Sequence, residues 1–199
     1  MNVRPVAAFD VDGTLTRRDT LLPFLTRVAG RTRVAGALAV AAAGAPQRDA
    51  AKARFLRRLL RGRPHGDLEE AGYEYGTRLA RVGVSEPMRA RLAWHRAEGH
   101  ELVIVSAALA CYLEPAAAAL GVDAVFATRL ETDGNGRCTG RLDGGNCRGE
   151  EKARRLRAHL GTDAALVWAY GDSRGDDAML ALAAHPVRVR RGVPALTPR

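Results

Sequence analysis

A chain of 199 residues, 47% of them hydrophobic, is long enough to bury the core of one globular domain, or of one domain carrying a small insertion. No run nears the roughly 20 apolar residues of a membrane-spanning helix, the N-terminus lacks the successive regions of a secretory signal, and three cysteines without a C-x-x-C pair (Cys111, Cys138, Cys147) speak against a disulfide framework or zinc cluster; a cytoplasmic protein is expected. The net charge of +9 is localised, because residues 17–84 hold 14 Lys+Arg against 6 Asp+Glu and the remainder 17 against 16.

In chain order, the apolar run Val6-Ala7-Ala8-Phe9 reads as a buried strand. Asp10-Val11-Asp12-Gly13-Thr14-Leu15 follows at once, with two carboxylates one residue apart where the strand gives way to a glycine turn. Ligands of open α/β sheets bind outside the carboxyl ends of the strands, so the hexapeptide suits a phosphoryl-transfer nucleophile as well as a common Asp-Gly turn. Arg17 to about Val84 is mostly helical in pattern. It contains an apolar stretch from Leu21 to Val28, a small-residue run from Val34 to Ala45, and a basic amphipathic segment from about Asp49 to Leu60. There Phe55, Leu56, Leu59 and Leu60 form a stripe flanked by Arg54, Arg57, Arg58 and Arg61, which suits a helix laid on the protein's own core or, less often, on a membrane surface. Gly62 and Pro64 end it, and Asp67 is placed to cap a second helix toward Arg81.

Ser85 then caps a helix that includes Pro87 and stops at Gly99, and Leu102–Val105 is a short buried strand with Ser106 at its end. Pro115 to Leu120 reads as a short helix closed by Gly121, Val125–Ala127 as a strand, and Arg129 to Leu142, around Asp133-Gly134-Asn135-Gly136, as a β-hairpin. A helix from Glu150 to Leu160 ends at Gly161. The strand Ala165–Tyr170 leads into Gly171-Asp172-Ser173-Arg174-Gly175-Asp176-Asp177 and a helix to Ala184, and Val187–Val189 supplies a last strand. The five histidines (His65, His95, His100, His159, His185) lack metal-ligand spacing and are read as surface or helix-flank residues. Alternating strands and helices imply an α/β fold, a Rossmann-like doubly wound parallel sheet. Residues 1–16 and 85–199 are its core domain, and 17–84 an inserted helical cap.

Parallel strands align their C-terminal ends, so Asp10 and Asp12, Ser106, and Asp172 with Asp176 converge on one pocket. Carboxylates from two strands would repel unless a hard divalent cation lay between them, and Mg²⁺ takes one or two carboxylates plus water and phosphate oxygens. The expected metal-site residues are Asp10, Asp12, Asp172 and Asp176. Asp10 is then the nucleophile, Asp12 the acid that protonates the leaving alcohol and later activates water, and Ser106 a donor to a phosphoryl oxygen. Only two of the 31 basic residues are lysines, Lys52 and Lys152, so each marks a place where a compact point charge was required. Lys152 is assigned to the phosphoryl group.

Four segments, in order, resemble the motifs of haloacid dehalogenase (HAD) superfamily phosphatases with a helical cap after the first motif: Asp10–Thr16, Val103–Ser106, Asn146–Lys152 and Tyr170–Asp177. The layout is similar to the phosphoserine phosphatase-like branch, which includes histidinol-phosphate and phosphatidylglycerophosphate phosphatases. The resemblance implies the HAD fold, Mg²⁺, an aspartyl-phosphate on Asp10, and substrate contacts at Gly13, Thr14, Asp19 and Ala107; the basic cap adds Arg54 and Arg58. Ala107-Ala108 stands where phosphoserine phosphatases usually have two glycines, Asp19 is a shortened counterpart of their acidic cap residue, and Gly175 replaces their Asn. The expected partner is therefore a small-molecule or lipid phosphate monoester, with peripheral contact to an anionic membrane through the cap and no nucleic acid. Two alternatives stand: a phosphotransferase on the same scaffold, and a basic binding module for RNA or anionic membrane. The sequence leaves the oligomeric state open.

Overall fold

Strands form where the sequence is apolar on both faces. Val6–Phe9 of β1 (Arg4–Phe9) and Leu102–Val105 of β2 (Glu101–Leu109) are buried throughout, as a parallel strand covered on both sides requires. The computed structural model describes residues 4–42, 48–162 and 164–194. Five further strands, β3 (Ala124–Thr132), β4 (Cys138–Asp143), β5 (Ala164–Gly171), β6 (His185–Arg190) and β7 (Val193–Pro194), complete a seven-stranded sheet of order β4-β3-β2-β1-β5-β6-β7. The central five are parallel, and β4 and β7 are antiparallel edges. The chain builds outward from β1 to β4 and then crosses to β5 on the other side of β1. The topological switch point, where such folds bind ligands, therefore lies at the carboxyl ends of β1 and β5. Phe9 is in register with Ile104 and Tyr170, which sets Asp10 beside Val105 and Gly171.

Between β1 and the core helix α5 (Glu86–Ala97) the chain forms α1 (Leu21–Ala29), α2 (Arg31–Ala42), α3 (Arg48–Leu60) and α4 (His65–Arg78). The stripe Phe55, Leu56, Leu59 and Leu60 is buried while Arg54, Arg57, Arg58 and Arg61 are exposed, so α3 lies on the protein's own core. Phe24, Leu56 and Leu68 join Phe9, Leu109 and Tyr112 in one apolar cluster. The inserted helices thus share their core with one face of the sheet. The end of the small-residue run, 43–45, lies outside the described residues.

Several expectations are corrected. β2 runs through Ser106 to Leu109, with a register shift against β3 between Val105 and Leu109, so Ser106 stands inside the strand. The helix α6 starts at Ala110 and runs to Leu120 with Pro115 inside it. Proline cannot donate to the Cys111 carbonyl one turn back, and that carbonyl lies instead against Gly72 of α4. A Cβ on Gly72 would come within 2.3 Å of it, and one on Gly76 within 2.1 Å of the Tyr112 carbonyl. The short strand at Val125 and the first arm of the hairpin are one strand, β3, which pairs with β2 by its first half and β4 by its second. Asp67 lies inside the first turn of α4, which Pro64 precedes. Ser85 is the N-cap residue of α5 as expected, but its hydroxyl donates to the Gly192 carbonyl (2.5 Å) and makes no capping bond. The helix after Asp176, α8, is a single turn, Asp177–Leu180.

His95 is fully buried rather than superficial. Its Nε2 lies 3.0 Å from the Tyr170 hydroxyl and its Nδ1 2.7 Å from Nδ1 of His100, behind the stacked pair Phe9 and Tyr170. Burial, then the neighbouring His100 and Arg91, push its pKa down to about 3, so it is neutral at physiological pH. The close α4–α6 crossing gives a direct test. Gly76→Ala must separate the two helices, and it should cost about 1–3 kcal/mol by overpacking, read as a lower urea midpoint; an unchanged midpoint would contradict the crossing.

Candidate active site

Asp10 is the first residue past β1, and its backbone N–H donates to the Tyr170 carbonyl (3.0 Å), which fixes it at the switch point. α7 (Glu150–Leu160) brings up Lys152, 1% exposed. Its Nζ donates to Oδ1 of Asp10 at 2.5 Å and Oδ1 of Asp176 at 2.6 Å. Burial alone would lower the ammonium's pKa, but the two carboxylates more than reverse this and hold it above its ordinary value. Burial raises the Asp10 carboxyl, an effect that Lys152 opposes.

Oxygens of Asp10, Asp172 and Asp176 lie within 4.8 Å of one another. An all-carboxylate set of hard oxygen donors fits Mg²⁺. Within it Asp176 is already engaged, since its Oδ1 takes Lys152 and its Oδ2 takes the backbone N–H and hydroxyl of Ser173, each at 3.0 Å. Burial, then Asp10 and Asp176, push the Asp172 carboxyl up to about 6. Gly13 lets Asp172 approach: its φ is +81° and a Cβ there would fall 2.1 Å from the Asp172 carboxylate.

Asp12, expected among the metal residues, is not in this cluster. Its Oδ1 turns to Thr20, accepting from the backbone N–H (2.8 Å) and the hydroxyl (2.7 Å). The Thr20 hydroxyl also lies 3.0 Å from the buried Tyr112 hydroxyl, and Tyr75 of α4 donates to the Thr20 carbonyl (2.9 Å). Burial and then Asp19 push the Asp12 carboxyl up to about 7, against the opposing pull of the Thr20 bonds. Asp19 itself is exposed and accepts from the Leu22 N–H (2.8 Å) at the start of α1. Ser106 is buried, its Oγ accepting from the Ala108 N–H (3.2 Å). The Thr14 hydroxyl is buried without a hydrogen-bond partner among the described residues.

Arg54 and Arg58 stay exposed on α3; the cation this helix turns inward is Lys52. Its Nζ donates to the Ala107 carbonyl and to Oδ1 of Asn146 (2.6 Å), and Nδ2 of Asn146 donates to Asp49 (2.7 Å). Burial lowers the Lys52 pKa to about 8, while Asp12 and Asp49 act the other way. The scarcity of lysine that marks Lys152 marks Lys52 equally, and that signal could have found it. Nothing in the sequence marks Thr20 or Tyr112, which depend on tertiary packing.

The layout is that of a doubly wound α/β protein with an aspartate, a buried lysine and two further carboxylates at the switch point. A model of the haloacid dehalogenase-like hydrolases matches residues 7–181, and the chain belongs to that family. Protein CicA of Caulobacter vibrioides is 37% identical over 196 residues, covering 96% of this chain and 88% of that protein. Among solved structures, a protein of unknown function from Bordetella pertussis Tohama I superimposes with a TM-score of 0.73 at 26% identity, over 90% of this chain and 87% of that one. A phosphoserine phosphatase in apo form does so with a TM-score of 0.62 at 19% identity, over 92% and 84%, a likeness of fold. No helix of the described residues is long and apolar enough to cross a membrane.

The raised carboxyls predict a pH dependence. Unfolded, Asp12 and Asp172 titrate near 3.8; folded, they hold their protons to about 7 and about 6. The folded chain thus binds more protons between these limits, and stability should fall as pH rises. Glu131 and Glu151, held down to about 2 by arginines and, for Glu131, Thr139, oppose this up to about pH 4.5, and His95, held down to about 3 from 6.5, opposes it up to about pH 6.5. The wild-type thermal midpoint in chelator should therefore fall relative to that of Asp12→Asn as pH rises from about 4 to about 7, a difference in which the opposing His95 cancels. A difference that stays flat across this range would refute the Asp12 shift.

Proposed function

We propose that the chain is a Mg²⁺-dependent phosphomonoesterase working through an aspartyl-phosphate on Asp10, with residues 17–84 as the cap over a core of 1–16 and 85–199. The observation that carries this reading is Asp10 at the switch point, held 2.5 Å from a buried Lys152 with Asp172 and Asp176 alongside. Asp10 and Asp172 would hold the ion, with Asp176 positioning Lys152. When bound, Mg²⁺ would offset the negative charge of the carboxylates and the phosphoryl group.

Lys152 and the Ser106 hydroxyl orient the phosphoryl oxygens, and a carboxylate oxygen of Asp10 attacks phosphorus. The bond to the ester oxygen breaks, and that oxygen takes a proton from Asp12, whose raised pKa keeps a supply of the acid form near neutrality. Asp12, now a carboxylate, removes a proton from water as the water oxygen attacks the aspartyl-phosphate. Phosphate leaves, and Asp10 and protonated Asp12 are restored. Gly13, Thr14 and Ala107 line the phosphoryl side; the Thr14 hydroxyl, without a partner among the described residues, is available as a donor. Lys52, whose Nζ reaches the Ala107 carbonyl and feels the charge of Asp12, supports an ester whose alcohol portion carries further negative charge, of small-molecule or lipid kind.

Phosphate release from a panel of monoesters (phosphoserine, histidinol phosphate, sugar phosphates, lysophosphatidate, phosphatidylglycerophosphate) tests the reading. Turnover should require Mg²⁺, and Asp10→Asn should lower it by about 10⁴-fold or more, the scale of losing a covalent nucleophile. Full turnover in Asp10→Asn would sink the mechanism, and phosphoryl transfer to an added alcohol in preference to water would make the chain a phosphotransferase. For Lys52→Gln, KM for an anionic ester should rise about tenfold, the loss of one charged hydrogen bond, with little change for p-nitrophenyl phosphate. An equal change for both would assign Lys52 to holding the cap alone.

A further inference from the structure

Helix α2 breaks the usual rule for a surface helix. From Val34 to Ala42 it has no polar side chain, and a helix apolar all round is expected in an interior. Yet among the described side chains from Val34 to Ala41 only Val34, Ala37 and Ala41 are buried. Ala35, Gly36, Leu38, Ala39 and Val40 face outward, with Leu38 41% and Val40 45% exposed. Beside this face Arg33, Arg58, Arg61 and Arg63 line an open cavity of about 860 Å³, with Gly36 and Ala37 in its wall. Val40 is one turn further along the stripe of Arg33, Gly36 and Ala37. Over residues 27–63 the chain has ten Lys+Arg and a single acidic residue, Asp49, which bonds Asn146.

We propose that this face docks on an anionic lipid surface, with the arginines in the head-group layer and the small apolar side chains of α2 at the acyl boundary. A helix apolar on its outer side and rimmed by arginine has the make-up of an interfacial element, and each Lys/Arg near an anionic surface contributes to binding. Charge complementarity selects this occupant. A second copy of the chain would bring two strongly basic faces together, and a nucleic acid would take the arginines but leave Leu38, Ala39 and Val40 in water. The docking is independent of which ester Asp10 attacks.

The test is co-sedimentation of the full chain with phosphatidylcholine vesicles, with and without phosphatidylglycerol. The chain should pellet only with phosphatidylglycerol and be released by high salt. Val40→Glu should abolish pelleting, and Arg33→Glu and Arg61→Glu should each weaken it by about fivefold or more, with circular dichroism unchanged; Arg33→Glu, in the exposed first turn, keeps the test valid if Val40→Glu misfolds. Equal binding to pure phosphatidylcholine, no binding, or binding that survives these variants would overturn the proposal. So would a dimer in the ultracentrifuge that Val40→Glu dissociates. Loss of phosphatase activity alone would count against the Asp10 mechanism and not against this surface.

Discussion

A single buried ammonium organises the working end of this protein. Lys152 sits between Asp10 and Asp176, and burying any of the three alone would be costly. Together they compensate one another, because two carboxylates share one lysine and the second oxygen of Asp176 is satisfied by Ser173. The arrangement needs β1, α7 and the loop after β5 in place at once, so the pair cannot form until the sheet has. A lysine suits this point better than an arginine: three donors on a compact head reach two carboxylates where a planar fork would demand more room.

The site also depends on how the inserted helices are fastened. Asp49 and Lys52, one turn apart on α3, grip Asn146 and the Ala107 carbonyl. Gly72 and Gly76 bring α4 against α6, and the backbones of Gly62 and Arg63 pair with Cys138. Asp12 belongs to the same assembly, since Thr20 joins it to Tyr112 of the core and Tyr75 of α4. The Asp12 carboxyl is thus set by groups from α4 and α6 together. A shift of α4 against α6 would be felt at Asp12 through Thr20.

Much of the layout was legible in local pattern. Continuous apolar runs gave β1, β2 and β5, the stripe at Phe55–Leu60 gave α3, and Gly13 and Gly171 marked the site loops after β1 and β5. Boundaries failed where tertiary contacts override local rules. Pro115 reads as a helix start, yet α6 tolerates it because Gly72 leaves room at the carbonyl it strands. Ser106 reads as the end of a strand, yet pairing with β3 resumes beyond it. Asp12, expected beside Asp10 in the metal site, has its Oδ1 bonded to the backbone N–H and hydroxyl of Thr20, a contact made through tertiary packing.

By itself the sequence determined the order of elements, the placement of Asp10, Asp172 and Lys152 at one edge of a parallel sheet, and the concentration of positive charge in residues 17–84. Periodicity and strand polarity suffice for the elements and for Asp10 and Asp172, because parallel strands align their ends whatever lies between them; Lys152 was placed by the scarcity of lysine and the resemblance of its motif. Only the tertiary structure decided that Lys52 faces inward while its arginine neighbours do not, that His95 is buried and neutral, that Asp12 answers to Thr20, and that α2 leaves an apolar face uncovered. Those outcomes depend on which face of each helix meets the sheet and on contacts between residues distant in the chain, which no local pattern encodes.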